Sequence, residues 1–113
     1  MKNIFVTLAA FCAISAAAQT SVKTETFVVK GNCDDCKDRI ENAADIKGVK
    51  VVKWDTDTKV ASATFDSDKT SLKLIQEAIA KSGYDAGPVK GNDKAYSKLP
   101  KCCQYRDGKC EEK

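Results

Sequence analysis

From Lys23 to Lys30 the run KTETFVVK is rich in Thr, Val and Phe and puts Phe27 and Val29 on one side of an extended backbone, which predicts a strand. The period then changes. Cys36, Ile40, Ala43 and Ala44 recur at the spacing of one helical face, with Lys37, Asp38, Arg39 and Glu41 on the other, and Gly48 closes that helix. In GVKVVKWD the inward positions are Val49, Val52 and Trp54, and in KVASATFD they are Ala61, Ala63 and Phe65. The Asp55-Thr56-Asp57 turn between these runs makes them an antiparallel hairpin. The polar DSDKTS stretch starts a second helix, whose apolar stripe is Leu72, Ile75, Ala78 and Ile79 and whose end is marked by Gly83. A last short strand, YDAGPVK, fits only a sheet edge because Pro88 lacks an N–H. The order strand-helix-strand-strand-helix-strand predicts an α+β, ferredoxin-like βαββαβ sandwich: a four-stranded antiparallel sheet with two helices on one face.

Outside this pattern lie two segments of different character. Residues 1–18 carry Lys2, an apolar stretch from Ile4 to Ile14 and the small residues Ala16-Ala17-Ala18, the layout of a cleavable export signal. That stretch is shorter than the roughly 20 apolar residues that cross a bilayer, and no second one follows, so no membrane insertion is expected. Periplasmic or secreted localisation is the expectation, and Cys12 is filling within the signal core. After Lys90 the chain turns polar and turn-rich, with Cys102, Cys103 and Cys110, so residues 91–113 form a cysteine-containing tail to a domain over 19–90.

Composition narrows the chemistry. The net charge of +3 is spread as a mixture of both signs with no basic block, which gives nucleic acid no footprint. There is no histidine, which removes Cys/His zinc patterns, Ser-His-Asp and Cys-His nucleophiles and the usual general base, so an enzyme is not expected. Five of the six cysteines follow the signal. An odd number cannot be consumed by disulfides within one chain.

The stretch KGNCDDC carries the candidate chemistry. Cys33 falls in a loop and Cys36 in the first turn of the helix, so their sulfurs can converge where unpaired backbone N–H groups stabilise thiolates. Two thiolates suffice for a near-linear site for Cu(I) or a heavier soft ion, whereas Zn(II) wants further ligands. The same spacing serves thioredoxin-like redox pairs, but the charges of Asp34 and Asp35 disfavour the acidic thiol that such chemistry requires while attracting a cation. A local disulfide staple is the third reading, and at this level all three stand.

GNCDDC after a strand, the helix through Ile40, Gly48-Val49 and AIAKSGYDA from Ala78 to Ala86 together resemble the heavy-metal-associated domain, over about Val22 to Lys90. That family includes copper chaperones, periplasmic mercury-binding proteins and modules of heavy-metal-transporting ATPases. The resemblance implies a soft-metal carrier that binds its ion through Cys33 and Cys36. Cu(I) is the leading ion, with Hg(II), Zn(II) and Cd(II) as alternatives, and the implied partner is a metal-transporting ATPase or an efflux component. Gly31 stands where the family has Met, and Asn32 directly precedes Cys33. Tyr84 matches a position whose ring lies near the metal loop in bacterial members, and it also suits simple core packing. In the tail, a disulfide from Cys110 to Cys102 or Cys103 would leave one thiol to cap the ion at Cys33 and Cys36, to link two molecules as a dimer, or to stay idle. A separate tri-thiolate site is the other arrangement.

Overall fold

The computed structural model describes residues 21–107; the expected export signal, Cys12 and Cys110 lie outside the described residues. The elements are β1 (Val22–Val28), α1 (Asp34–Ala43), β2 (Val49–Trp54), β3 (Val60–Asp66), α2 (Leu72–Lys81) and α3 (Asp93–Ser97), followed by 3-10 turns at Lys101–Cys103 and Tyr105–Asp107. No helix among them is long and apolar enough to cross a membrane.

β3 lies between β1 and β2, antiparallel to both, with Phe27 opposite Ala61 and Trp54 opposite Ala61 on the other side. The inward set of β2 has a three-residue step from Val49 to Val52, which a regular strand cannot place on one face. A bulge supplies it: Val49 pairs with Phe65 and Val51 with Thr64, leaving Lys50 as the additional residue. The expected inward residues of all three strands join one core with Cys36, Ile40 and Ala44 from the α1 side and Ile75 and Ile79 from α2. Burying Phe65, Ile40, Ile75 and Ile79 contributes about 1.5–3 kcal/mol each relative to exposure. α1 ends at Ala43, ahead of Gly48, and is tied to β2 by Glu41, which accepts from the Trp54 N–H at 2.9 Å. Ser71 caps α2, accepting from the Leu74 N–H at 3.2 Å.

The expected fourth strand is much reduced. Among the described residues the sheet has three strands, and the segment after α2 contributes only the bridge Val29–Ala86 beside β1. Lys30 N–H bonds Asp85 O at 3.0 Å and Gly87 N–H bonds Val28 O at 2.7 Å, so the chain does run along the edge. It then reverses: Ala86 and Val89 exchange both backbone hydrogen bonds across Gly87-Pro88, with Gly87 at φ +54. A turn closed by a positive-φ glycine and a proline without an N–H cannot extend the ladder.

The segment beyond this turn packs onto the domain. Leu99 and Cys103 are buried in the core, and Tyr96 and Tyr105 pack against it. At Gly83 (φ +105) a side chain would lie 2.8 Å from the Tyr96 backbone nitrogen, so glycine permits the close approach of this segment. Tyr105 stacks on Tyr84 at 5.8 Å and meets Tyr96 edge-on at 5.2 Å, while its hydroxyl donates to Gly83 O at 2.7 Å and accepts from the Asp85 N–H at 2.9 Å. Arg106 lies over the Tyr96 ring and pairs with Asp85 at 3.0 Å and Asp93 at 2.7 Å.

This docking carries a pH dependence. Burial acts to raise the Asp85 pKa, but the Gly91 N–H at 2.7 Å and the Arg106 guanidinium outweigh it and hold the carboxyl below its ordinary range. A carboxyl depressed on folding contributes stability above the unfolded value of about 4, and the contribution is lost as pH falls through the depressed folded value. Near-UV circular dichroism of the docked tyrosines should therefore fall in an acid step below about pH 4. The step should shrink in Asp85→Asn; an unchanged step would show that this ion pair does not hold the tail.

Candidate metal centre

Gly31, Asn32 and Cys33 carry the chain from the edge of β1 into α1. Gly31 is buried, and a Cβ there would lie 3.1 Å from both Ile40 and the Trp54 ring, so indole fills the space at the position where the resemblance expects Met. Trp54 is fixed there by its own N–H, which donates to Val29 O at 2.9 Å. Asn32 reaches across to the tail, donating to Cys102 O at 3.3 Å.

Cys33 is the N-cap residue of α1, with extended backbone and no capping side-chain hydrogen bond, so its sulfur is left beside the first-turn N–H groups. Its Sγ lies 3.6 Å from that of Cys36, beyond the length of a disulfide bond, and the two are free thiols. Cys36 is fully buried and Cys33 half-buried, so the pair has one anchored sulfur and one facing outward. Burial works to raise the Cys33 pKa, but the N–H groups of Cys36 and Asp35 and the Cys36 thiol outweigh it and hold Cys33 below its ordinary value.

The nearby basic residues are engaged along the helix face. Lys37 is turned to Glu41 and to Trp54 O at 3.2 Å, and Arg39 pairs with Asp35 at 3.3 Å. Asp34 and Asp35 are exposed in the first turn of α1, leaving the loop electronegative toward an arriving cation.

The structure brings Cys103 into the same cluster. It is fully buried, and the sulfurs of Cys33, Cys36 and Cys103 all lie within 4.8 Å of one another. Burial and the hydrogen bond with the Cys36 thiol push the Cys103 thiol above its ordinary value, and its S–H is directed to Asp35 Oδ2 at 3.6 Å. Cys102 stays at the exposed rim, its Sγ 3.9 Å from that of Cys103. Tyr84 is wholly buried beside the Cys36 and Cys103 thiols, and its hydroxyl has no hydrogen-bond partner. Its ring thus serves both as core and as a wall of the cluster.

Tyr105 and Arg106, which hold the tail over this cluster, went unrecognised in the sequence. The available signal was the presence of three large apolar side chains, Tyr96, Leu99 and Tyr105, in an otherwise polar tail.

With this geometry the chain can be set beside known proteins. The profile of the heavy-metal-associated domain matches residues 25–85, a stretch that ends before α3 and the tail cysteines. A mercuric transport protein periplasmic component from Pseudomonas aeruginosa is 34% identical over 86 residues, covering 74% of this chain and 93% of the relative. The copper chaperone CopZ of Staphylococcus saprophyticus is 34% identical over 64 residues, covering 55% of this chain and 94% of the relative. The crystal structure of oxidised MerP from Ralstonia metallidurans, 32% identical, superposes over 58% of this chain and 94% of its own with a TM-score of 0.55. The profile match over more than half the sequence, together with a relative covered almost end to end, places this chain in the heavy-metal-associated domain family.

Proposed function

We propose that this protein is an exported carrier of a soft metal ion, Cu(I) or a similar thiophilic ion such as Hg(II), which it captures through Cys33 and Cys36 and passes on by thiolate exchange. The observation that carries the reading is the pair of free thiols 3.6 Å apart at the start of α1, one of them open to solvent. Relatives named as a mercuric transport protein periplasmic component and as a copper chaperone support the class of cargo, and the first of them supports an extracytoplasmic setting.

Capture needs no covalent chemistry on the cargo. Cys33, held toward its thiolate form, meets the ion first; Cys36 then ligates from within, and the thiol protons pass to water. In transfer, a partner's thiolate enters the coordination sphere and the bond to Cys33, the outer sulfur, breaks before the bond to Cys36. The partner is a cysteine-bearing domain of a heavy-metal-transporting ATPase or an efflux component.

The test is kinetic. Cu(I)-loaded protein, mixed anaerobically with the metal-free heavy-metal-associated domain of a copper-transporting ATPase, should give up its ion at a rate proportional to acceptor concentration. A rate independent of acceptor would mean that the ion leaves by dissociation, and the exchange mechanism would be wrong.

A further inference from the structure

The tail thiol at the loop pair has a geometric consequence. With metal–sulfur bonds of about 2.3 Å, a linear two-sulfur site needs sulfurs about 4.6 Å apart, whereas a trigonal site needs about 4.0 Å on each side. The Cys33–Cys36 separation of 3.6 Å is well short of the linear value and nearer the trigonal one. The third sulfur of such a triangle is already present, since Cys103 Sγ is within 4.8 Å of both.

We propose that Cys103 completes a trigonal three-thiolate site with Cys33 and Cys36 for a divalent soft ion, making the tail a built-in lid on the family's two-cysteine loop. This rests on the reading that the loop pair takes a soft ion and adds the coordination number and the charge class of the cargo. Three observations carry it besides the distances. Cys103 is fully buried although it belongs to a polar tail, so its position is fixed. The tail is held there by Tyr105 and Arg106 and by Asn32, which bonds the Cys102 carbonyl. The buried Tyr84 hydroxyl is unpartnered beside the Cys36 and Cys103 sulfurs, where a phenolic O–H finds an acceptor once a sulfur becomes a metal-bound thiolate.

Charge selects the ion. Three thiolates on a monovalent ion make a doubly negative complex; on a divalent ion they make a singly negative one, no worse than two thiolates on a monovalent ion. In a buried setting walled by Tyr84 and flanked by Asp35, the smaller charge is favoured. On binding, three metal–sulfur bonds form and each S–H proton is released to water, with no change of oxidation state.

The test is X-ray absorption of the full chain, reduced and loaded with one equivalent of Hg(II), with thiol-competed affinity measured in parallel. The wild type should show three sulfurs on the metal, Cys103→Ser and Cys103→Ala two with a shorter mean metal–sulfur distance, and Cys102→Ser three. Two sulfurs in the wild type, or three retained in both Cys103 variants, overturns the proposal, as does a third ligand lost only in Cys102→Ser. Failure of the underlying reading looks different: Hg(II) affinity in Cys33→Ser and Cys36→Ser would then equal that of the wild type.

Discussion

Substituting either loop cysteine with serine is expected to lower the affinity for a soft ion by two to three decades. Four-ligand zinc sites bind with an apparent ~10–16 kcal/mol, or roughly 2.5–4 kcal/mol per ligand, and each 1.4 kcal/mol is about tenfold. A serine oxygen is a hard donor and does not replace a thiolate toward Cu(I) or Hg(II). The two variants should differ in stability. At the buried Cys36 position a hydroxyl without a partner costs about 1–3 kcal/mol, whereas Cys33 is half-buried and its replacement should leave thermal unfolding nearly unchanged. Anaerobic Cu(I) titration against a competing chelator, beside thermal melts of the metal-free forms, separates the effects. Wild-type affinity in both variants would move the site elsewhere in the chain.

The second large effect lies in the tail. Truncating a core aromatic to alanine costs about 3–5 kcal/mol, and for the half-buried Tyr105, with its two ring contacts and the hydrogen bonds of its hydroxyl to Gly83 O, the Asp85 N–H and Asp85 Oδ1, about 2–3 kcal/mol is expected. Tyr105→Phe keeps the stacking and loses the hydroxyl's bonds to Gly83 O, the Asp85 N–H and Asp85 Oδ1, about 1–2 kcal/mol in all. In Tyr105→Ala the tail should leave Tyr84 and Cys103 before the sheet and helices melt. Alkylation of Cys103 in the metal-free protein should then accelerate markedly, while that of Cys36, anchored in α1, changes less. Unaltered Cys103 reactivity in Tyr105→Ala would mean that the ring does not hold the tail.

Much of the scaffold could be read from periodicity because its elements obey local rules. The uneven spacing of Val49, Val52 and Trp54 already implied a break in the strand, realised as the bulge at Lys50. Pro88 confined the last segment to a sheet edge, but the extent of pairing depended on Gly87 taking φ +54, a choice made by the turn and not by the apolar pattern. The convergence of the Cys33 and Cys36 sulfurs was legible because three-residue spacing at a helix start dictates it. Cys103 was legible only as a candidate. Its approach to the loop depends on the Gly83–Tyr96 contact, the tyrosine stack and the Arg106 ion pairs, all between residues distant in sequence and none periodic. The engagement of Lys37 with Glu41 and Trp54 O was similarly hidden, since a basic residue on a helix surface carries no mark of its partner.

The proposed grip of the Cys33–Cys36 pair on one ion, as free thiolates, has a direct chemical readout. It is tested most directly by alkylating the protein, isolated from its native compartment without added reductant, with and without one equivalent of Cu(I), and mapping the modified cysteines by mass spectrometry. In the metal-free protein Cys33 should react quickly and the buried Cys36 slowly, through local opening, and both should be protected together once the ion is bound. A pair already inert before metal is added and restored only by a reductant, or one that reacts equally in the loaded protein, would contradict the account.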